Sequence, residues 1–353
     1  MSRMAIVAIT KHGIKIARSI FQNMPDAKIH APAKHNDGGL DIDWYSEQTT
    51  QVVSNLFKQS ESLICIFSLG AAVRMLAPFL KDKKSDPAVL VIDDAAQFVI
   101  SALSGHLGGA NALARRVASL IGAQPVITTA ADVNETIAVD LVGRELGWTI
   151  ENFANVTKVS AHMVNEEKIA VYQDTGERSW WNNKLPSNVN IVTSLDQAKL
   201  PDYKAVLIIS DKKISDPQLL EKSVIYRPKS LVVGIGLHWD TSKETIEYGL
   251  RQVFAGAGLA MSCMRNVASI DRECKVIGLI DFCSSEGLML DTYPKEKLAT
   301  VSVPNPSVTV QKFEGTTSVS EAAALLSSNG DLIVEKQKFP PDLTIAICRI
   351  RYT

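Results

Sequence analysis

The stretch Ala88–Arg116, AVLVIDDAAQFVISALSGHLGGANALARR, contains two apolar runs, a glycine-rich junction and the start of a helical pattern. The runs AVLVI and FVISAL are short and continuous, as in strands that are buried on both faces. After the junction, apolar residues recur at helical spacing from Leu107 to Ile121. Buried strands that alternate with amphipathic helices predict an α/β domain in which helices flank a mainly parallel sheet.

The same alternation continues on both sides of this stretch, with predicted strands at Ala5–Ile9, Leu63–Phe67 and Pro125–Thr129. The strand and helix patterns become weaker after residue 138, and the alternation of strands and helices restarts near residue 229. A chain of 353 residues suits two or three domains. We therefore predict an N-terminal α/β domain over 1–137, a small α/β middle region over 138–226, and a separate α/β C-terminal domain over 229–353.

Composition excludes several classes of partner. The 37 Lys and Arg residues balance 38 Asp and Glu residues, so the basic excess that is typical of nucleic-acid-binding proteins is absent. No apolar run has the length of a membrane span, and the first residues lack a signal-peptide pattern. The five cysteines form no CxxC pair, which argues against a metal site. We expect a cytoplasmic protein without nucleic-acid or membrane partners.

The junction between the second run and the helix supports two interpretations. N–H groups at a helix start attract anions, and glycine lets a ligand approach the backbone. Close helix–strand packing explains the glycines equally well, so both interpretations stay open. The spacing matches neither GxGxxG nor GxxxxGK[ST], so it does not indicate a dinucleotide or a nucleoside triphosphate. The candidate ligand-binding residues here are Ser104, Gly105, His106, Gly108, Gly109 and Asn111.

Other predicted strands also end in polar residues. Because parallel strands present their carboxyl ends at one edge of a sheet, we expect these residues to share a ligand site. Four cationic residues follow Gly70, namely Arg74, Lys81, Lys83 and Lys84. Such a group is typical of a solvated helix end or of a site that binds a polyanion. Asp93 and Asp94 are as compatible with caps or turns as with general bases. The further candidates are Lys11, His12, Gly70, Arg74, Lys81, Lys83, Lys84, Asp94, Thr129 and Asp132.

The C-terminal domain carries weaker motifs. Gly234–Gly236 is only a GxG, and Trp239 stands where a dinucleotide motif has its third glycine. Ser318 and Glu321 have the spacing of a capping box, which predicts a helix start there. The preceding Gly315–Ser318 segment has the composition of an anion-binding nest.

Two long stretches carry a resemblance to a known family. Residues 70–134, with LKDKKSDPAV (Leu80–Val89) and LSGHLGGAN (Leu103–Asn111), resemble the cobalt-precorrin-5A hydrolases of anaerobic cobalamin biosynthesis. The segments VPNPSVTV, GTTSVSEAAALL and TIAICRI resemble the C-terminal domain of that family, which is also similar to a stand-alone protein of the aerobic pathway. The resemblance is loose in the middle of the chain.

The resemblance implies a reaction and a substrate. Members of the family open the δ-lactone of cobalt-precorrin-5A and release acetaldehyde to give cobalt-precorrin-5B. The cobalt belongs to the substrate, so no cofactor is expected. The substrate is a polycarboxylate, which the cationic candidates and the helix-start N–H groups would bind. A protein that binds or hands over the intermediate without catalysis is the alternative. A homodimer and transient contacts with other enzymes of the pathway remain open.

The same resemblance implies residue roles. His106 is the candidate base and Asp94 a second catalytic candidate, with Asp93, His12 and His238 as alternatives. N–H groups near Gly108 and Gly109 would form the oxyanion hole. The chain departs from the family pattern at Leu237–Asp240, where Cys and two basic residues are usual, and at 274–278, where an acidic-Pro-Gly stretch is usual. Because both changes remove polar groups, we expect the chemistry in the first domain or between domains.

Overall fold

The computed structural model describes residues 4–82, 85–272, 275–341 and 343–352. Contacts divide the chain into two compact units, Met1–Leu141 and Val142–Thr353. Each unit is an α/β structure. No helix in these described ranges is long and apolar enough to cross a membrane.

The first unit alternates strands and helices. Its strands are β1 (Met4–Ala8), β2 (Ala27–Pro32), β3 (Ile42–Tyr45), β4 (Ser62–Ile66), β5 (Ala88–Ile92), β6 (Phe98–Leu103) and β7 (Gln124–Val126). Its helices are α1 (Lys11–Asn23), α2 (Thr49–Gln59), α3 (Leu69–Leu76), α4 (Ala110–Ile121) and α5 (Ala130–Val133).

The seven strands form one sheet in the order β3-β2-β1-β4-β5-β6-β7. The strands from β3 to β5 are parallel, whereas β6 pairs antiparallel with β5 and parallel with β7. The pair β6 and β7 therefore runs against the rest of the sheet. A hairpin connects β5 to β6 instead of a crossover helix.

Helices cover both faces of this sheet. Along β1, Ile6 and Ala8 contribute to the core on one face, while Ala5 and Val7 contribute to the core on the other. Helices α1 and α4 pack together on the first face, and α2 and α3 pack together on the second. Strands β1, β4 and β5 thus have the two buried faces predicted from their sequence. The prediction is wrong for β6, in which only Val99 is buried and Phe98 is 40% exposed.

The second unit contains two five-stranded sheets. Its strands are β8 (Thr149–Ile150), β9 (Ile169–Gln173), β10 (Val189–Val192), β11 (Ala205–Ile209), β12 (Ser223–Arg227), β13 (Leu231–Leu237), β14 (Met264–Ile270), β15 (Met289–Tyr293), β16 (Asp331–Phe339) and β17 (Leu343–Arg349). Its helices are α6 (Val156–Val164), α7 (Leu195–Ala198), α8 (Pro217–Lys222), α9 (Lys243–Gly256), α10 (Ile277–Glu286), α11 (Lys295–Ala299), α12 (Val308–Glu314) and α13 (Ser320–Ser328).

The strand orders are β10-β9-β11-β12-β8 in the middle region and β15-β14-β13-β17-β16 in the C-terminal region. Both sheets are mixed, because β8 pairs antiparallel in the first and β17 pairs antiparallel on both sides in the second. The predicted fold class is confirmed: a mainly parallel N-terminal sheet flanked by helices, a small α/β middle region and an α/β C-terminal region.

A buried ion pair joins the two sheets of the second unit. Asp211, just after β11, is fully buried, and Arg349 of β17 donates to its two carboxylate oxygens at 2.6 and 2.7 Å. The Ser230 hydroxyl donates to the same carboxylate at 3.1 Å. Because Asp211 follows a strand of the middle sheet and Arg349 lies in the C-terminal sheet, these contacts connect the two sheets.

The glycines of the GxG motif in β13 allow a helix to pack closely on the strand. A β-carbon at Gly234 would lie 1.8 Å from the carbonyl oxygen of Ser320, and one at Gly236 would lie 3.3 Å from the β-carbon of Val319. Helix α13 therefore begins directly against the backbone of β13. The motif serves helix–strand packing, in agreement with the weak dinucleotide signal.

The predicted capping box at Ser318 and Glu321 is wrong. The residue before α13 is Val319, and no side chain caps this helix end. Glu321 is instead fully buried, where it accepts hydrogen bonds from Asn305 Nδ2 at 2.9 Å and Lys336 N at 3.1 Å. Tertiary partners on β16 and before α12 therefore outcompete the local cap.

Gly234→Ala tests the close packing of α13 on β13. We expect the free energy of unfolding to fall by about 1–3 kcal/mol or more, because the new methyl group meets a backbone carbonyl that cannot rotate away. The measurement is chemical denaturation of the full chain. Gly256→Ala is the matched control, since open space surrounds Gly256 at the end of α9, and it should be neutral or stabilising. Equal stability of the two variants would contradict the packing role.

Candidate functional site

The polar strand ends of the first unit lie at two edges of the sheet, and the predicted single edge is wrong. Strands β1, β4 and β5 end at one edge, which carries His12, Arg74 and Asp94. Because β6 is antiparallel to β5, with Leu103 opposite Val89, its carboxyl end lies at the other edge. His106 and Asp94 are therefore separated by the length of β5, roughly 16 Å at about 3.3 Å per residue.

The junction after β6 is a tight loop that three glycines make possible. A β-carbon at Gly105 would lie 2.6 Å from Asn111 Oδ1, and one at Gly108 would lie 2.3 Å from the β-carbon of Ser104. Gly109 has a φ of 84° and Ser104 a φ of 56°, both in the left-handed region. Two of the glycines thus make room for Ser104 after the strand and Asn111 in the helix, as the packing interpretation proposed.

The N–H groups at the start of α4 are already engaged. Gly109 N donates to His106 O at 3.0 Å, Ala110 N to Ser104 O at 3.2 Å, and Asn111 N to Gly105 O at 3.0 Å. In this conformation they do not face a ligand, contrary to the expectation of an anion site at the helix start. Backbone hydrogen bonds hold the conformation of the loop, so a ligand there would meet side chains and not these N–H groups.

His106 is held between two carboxylates. Its Nε2 lies 2.8 Å from Asp132 Oδ2, and its Nδ1 lies 3.2 Å from Asp140 Oδ1. The three side chains are 15, 18 and 11% exposed, respectively, so water screens the contacts only partly. Acceptors at both ring nitrogens favour the doubly protonated imidazolium, which donates at both positions.

Asn111 organises the same cluster from α4. Its Nδ2 donates to Asp132 Oδ2 at 2.8 Å and to Thr129 Oγ1 at 3.0 Å, while its Oδ1 accepts from the Ser101 hydroxyl at 2.7 Å. The residue is only 4% exposed. The side-chain amide is fully used in positioning its neighbours, so the structure supports a positioning role for this predicted binding residue.

Charge interactions shift the pKa values of the central pair in opposite directions. The hydrogen bond with Asp140 raises the pKa of His106 above its ordinary value; burial opposes this shift, and Asp132 adds to it. Burial acts to raise the pKa of Asp132, but Arg115, His106 and Asn111 outweigh it and lower that pKa overall. The Arg115 guanidinium donates to Asp132 Oδ1 at 2.6 Å. Both shifts favour the charged pair.

A second polar group lies at the opposite edge. The hydroxyl of Thr10 donates to Asp94 Oδ1, and His12 Nδ1 lies 3.9 Å from Asp94 Oδ2. Arg74 donates to the carbonyl of Gly70 at 3.2 Å within α3. His12 and Asp94 are more than half exposed, and Lys11 is also exposed at the start of α1. The roles predicted for these residues remain predictions, at an edge separate from His106.

The loop before β5 belongs to the edge that carries His106. The Ser104 hydroxyl donates to Asp86 O at 2.9 Å, and Lys81 N donates to the carboxylate of Asp86 at 2.9 Å. Lys81 is exposed there. Lys83 and Lys84 lie outside the described residues, so their predicted roles remain untested.

Sequence reasoning placed His106, Asn111, Thr129 and Asp132 in one larger set with residues of the opposite edge. The structure brings these four together, and sequence reasoning missed Asp140, Arg115 and Ser101. No local motif marks Asp140, which follows α5 and lies 34 positions after His106. Arg115 lies one helical turn after Asn111, a spacing that places both on one side of α4. Within the described part of the chain, no cluster of three or more His, Cys, Asp or Glu side chains could hold a metal ion.

The raised pKa of His106 can be measured by NMR titration of the six histidines. We expect a midpoint above about 6.5, which Asp140→Asn lowers by removing the largest favourable contact. His106→Asn identifies the resonance. The stabilisation from the charged ring should be complete below about pH 6.5 and lost as pH rises through the raised folded-state pKa. The Tm difference between wild type and His106→Asn should therefore shrink on going to higher pH; a constant difference would contradict the charged pair.

Three family models match nearly all of the chain. They describe the cobalamin synthesis G N-terminal region over residues 51–132, the cobalamin biosynthesis central region over 137–228, and the cobalamin synthesis G C-terminus over 231–348. The His106 loop, Asn111, Thr129 and Asp132 fall within the first match. Asp140 falls within the second.

Relatives match over nearly their whole length. A cobalt-precorrin-5A hydrolase from Priestia megaterium is 41% identical over 99% of this chain and 95% of its own. The corresponding protein from Salmonella typhimurium is 31% identical over 94% and 93%. Among solved structures, a putative cobalamin biosynthesis protein G homolog from Sulfolobus solfataricus is 20% identical, with a TM-score of 0.38 and coverage of 99% and 98%. The chain belongs to the cobalt-precorrin-5A hydrolase family.

Proposed function

We propose that this chain hydrolyses the δ-lactone of cobalt-precorrin-5A and releases acetaldehyde to give cobalt-precorrin-5B. The observation that carries the proposal is the 41% identity to a cobalt-precorrin-5A hydrolase over 99% of the chain. The cluster of His106, Asp132 and Asp140 adds a histidine whose pKa is raised by two carboxylates, which favours the protonated ring.

The reaction consists of two bond cleavages. Water adds to the lactone carbonyl, the ring C–O bond breaks, and the products are a carboxylate and a secondary alcohol once the alkoxide takes a proton. Loss of the hydroxyl proton then drives C–C cleavage, which forms acetaldehyde and leaves an electron pair on the macrocycle. The macrocycle carbon takes up a proton. The electron sink is the substrate itself, so the proposal requires no resident cofactor.

We assign His106 to proton donation at the departing lactone oxygen. A free base needs an unprotonated nitrogen, and both nitrogens of this ring face carboxylates. The Asp140 and Asp132 carboxylates raise the pKa of His106, which favours the protonated ring that a general acid needs. Asp132 is also bound by Asn111 and Arg115, so we propose that it stays paired with Nε2 while a substrate oxygen replaces Asp140 at Nδ1. The predicted role of His106 as a base is revised accordingly.

Carboxylates of the substrate need cationic partners at the same edge of the sheet. Lys81 is exposed in the loop that the Ser104 and Asp86 contacts hold beside the His106 loop. Arg115, 53% exposed on α4, is a second cation at this edge. We propose that both contribute to binding the substrate by charge-assisted hydrogen bonds.

The decisive experiment is an anaerobic assay of purified protein with cobalt-precorrin-5A, in which acetaldehyde is trapped and quantified. We expect turnover by the wild type and a loss of kcat by roughly 10²–10⁴-fold in His106→Asn, because one positioned proton donor is removed. KM should change much less. Corrin binding without acetaldehyde release would instead establish the non-catalytic alternative.

His162→Asn is the matched control for this assay. His162 also pairs with a carboxylate, Glu167, but lies in α6 of the second unit. It should keep wild-type turnover. Equal turnover by His106→Asn and His162→Asn would remove His106 from the mechanism while leaving the hydrolase activity itself intact.

A further inference from the structure

Opening of a lactone requires a base as well as an acid. The attacking water loses a proton as it adds to the carbonyl carbon, while the departing ring oxygen gains one. Both nitrogens of His106 face carboxylates, and in the charged ring both carry a proton, so the ring cannot also accept a proton from the water. The base is therefore another group that lies close to the same substrate bond.

Asp132 is occupied by three donors. Its Oδ2 accepts from Asn111 Nδ2 at 2.8 Å and lies 2.8 Å from His106 Nε2, while its Oδ1 accepts from Arg115 Nη2 at 2.6 Å. Hydrogen bonds from three donors, one of them a guanidinium, stabilise the ionised form of a carboxylate and make it a poor proton acceptor. Asp132 is therefore suited to positioning the ring.

Asp140 has fewer contacts. Among the described residues, its carboxylate is paired with one side chain, His106, whose Nδ1 lies 3.2 Å from Asp140 Oδ1. The Asp140 side chain is 11% exposed, so a water molecule can reach it although bulk solvent does not surround it. A carboxylate has about four acceptor sites, so a single partner leaves lone pairs for a water molecule.

The backbone fixes the position of Asp140. The residue lies in a turn after α5, in which Leu141 N donates to Ala138 O at 2.9 Å. Ile137 and Val139, on either side of Ala138, are each 1% exposed and anchor the segment in the interior. A general base has to be held within reach of the proton that it takes, and this turn provides the necessary constraint.

We propose that Asp140 is the general base of lactone opening and acts as a pair with His106. This inference rests on the proposed function. The carbonyl carbon and the ring oxygen of a lactone are bonded to each other, so the base and the acid that serve them have to be neighbours, as Asp140 and His106 are. A substrate oxygen that replaces Asp140 at Nδ1 brings the carbonyl carbon beside the released carboxylate.

The proton transfers balance within this pair. Asp140 takes a proton from the attacking water, the water oxygen bonds to the carbonyl carbon, and the ring C–O bond breaks. His106 gives its Nδ1 proton to the departing alkoxide, and the new carboxylic acid ionises to the solvent. The pair now consists of a neutral acid and a neutral imidazole. Return of the proton from Asp140 to Nδ1 restores the starting state.

The test compares Asp140→Asn with wild type in the anaerobic acetaldehyde assay. Asparagine keeps the size of the side chain and an oxygen that accepts from Nδ1, but it cannot take a proton from water. We expect kcat to fall by roughly 10²–10⁴-fold, with a much smaller change in KM. Asp43→Asn is the matched control, because Asp43 Oδ2 lies 3.4 Å from His30 Nδ1 on the edge strand at the β3 end of the sheet. It should keep wild-type turnover.

Two readouts distinguish a base from a residue that only sets the charge of His106. The first is turnover at about one pH unit below the ring midpoint that NMR titration gives for each protein. His106 is then protonated in both proteins, so the deficit of Asp140→Asn should persist. The second is rescue of Asp140→Ala by formate, which should raise turnover roughly tenfold above the same concentration of chloride, because a diffusible carboxylate replaces a positioned one only in part.

Wild-type turnover of Asp140→Asn at either pH would overturn the proposal. Equal rates of Asp140→Ala in formate and in chloride would overturn it as well, whereas rescue by formate also shows that the variant is folded. A wild type that releases no acetaldehyde would instead contradict the proposed function. Failure of Asp140 as the base and failure of the hydrolase assignment are therefore distinguishable.

Discussion

The reversal of chain direction after β5 decides where the polar residues of the first unit lie. Asp93 stabilises this turn, since its carboxylate accepts hydrogen bonds from Ala95 N at 3.1 Å and Phe98 N at 2.6 Å. Ala96 completes the turn with a φ of 53°. A crossover helix would have made β6 parallel to β5. Because the chain turns back instead, β6, β7 and the loops that follow them place His106, Thr129 and Asp132 at the amino end of β5.

Within that edge, the geometry depends on one loop and one amide. The glycines at 105 and 108 let Asn111 and Ser104 occupy space that side chains would otherwise fill. Asn111 then links Ser101 of β6, Thr129 and Asp132 by three hydrogen bonds of 2.7–3.0 Å. This arrangement determines the surroundings of His106, because the hydrogen bond from Asn111 holds the Asp132 carboxylate beside the imidazole ring. Carboxylates on both sides of the ring favour its protonated form.

Close packing at glycines also shapes the second unit. Glycines in β13 bring α13 onto the strand, and the buried Glu321 ties the loop before α12 to β16. These contacts set the walls of a cavity of about 730 Å³, and Lys336 of β16 donates from its Nζ to Asn305 O in that wall. The His106 loop and the start of α13 therefore share one structural feature: a glycine without a side chain lets a neighbouring element pack closely.

The sequence by itself determined the α/β class, because continuous apolar runs such as AVLVI require two covered faces. It also selected His106, Asn111, Thr129 and Asp132 as candidates, since each follows a strand or opens a helix, but it placed them in one set with His12 and Asp94. It could not determine the direction of β6: a short, mainly apolar run has the same pattern in a parallel or an antiparallel strand, and the Asp93 turn resembles a cap. Only the tertiary structure separated Asp94 from His106 and brought in Asp140, because a contact between residues 34 positions apart depends on the path of the chain.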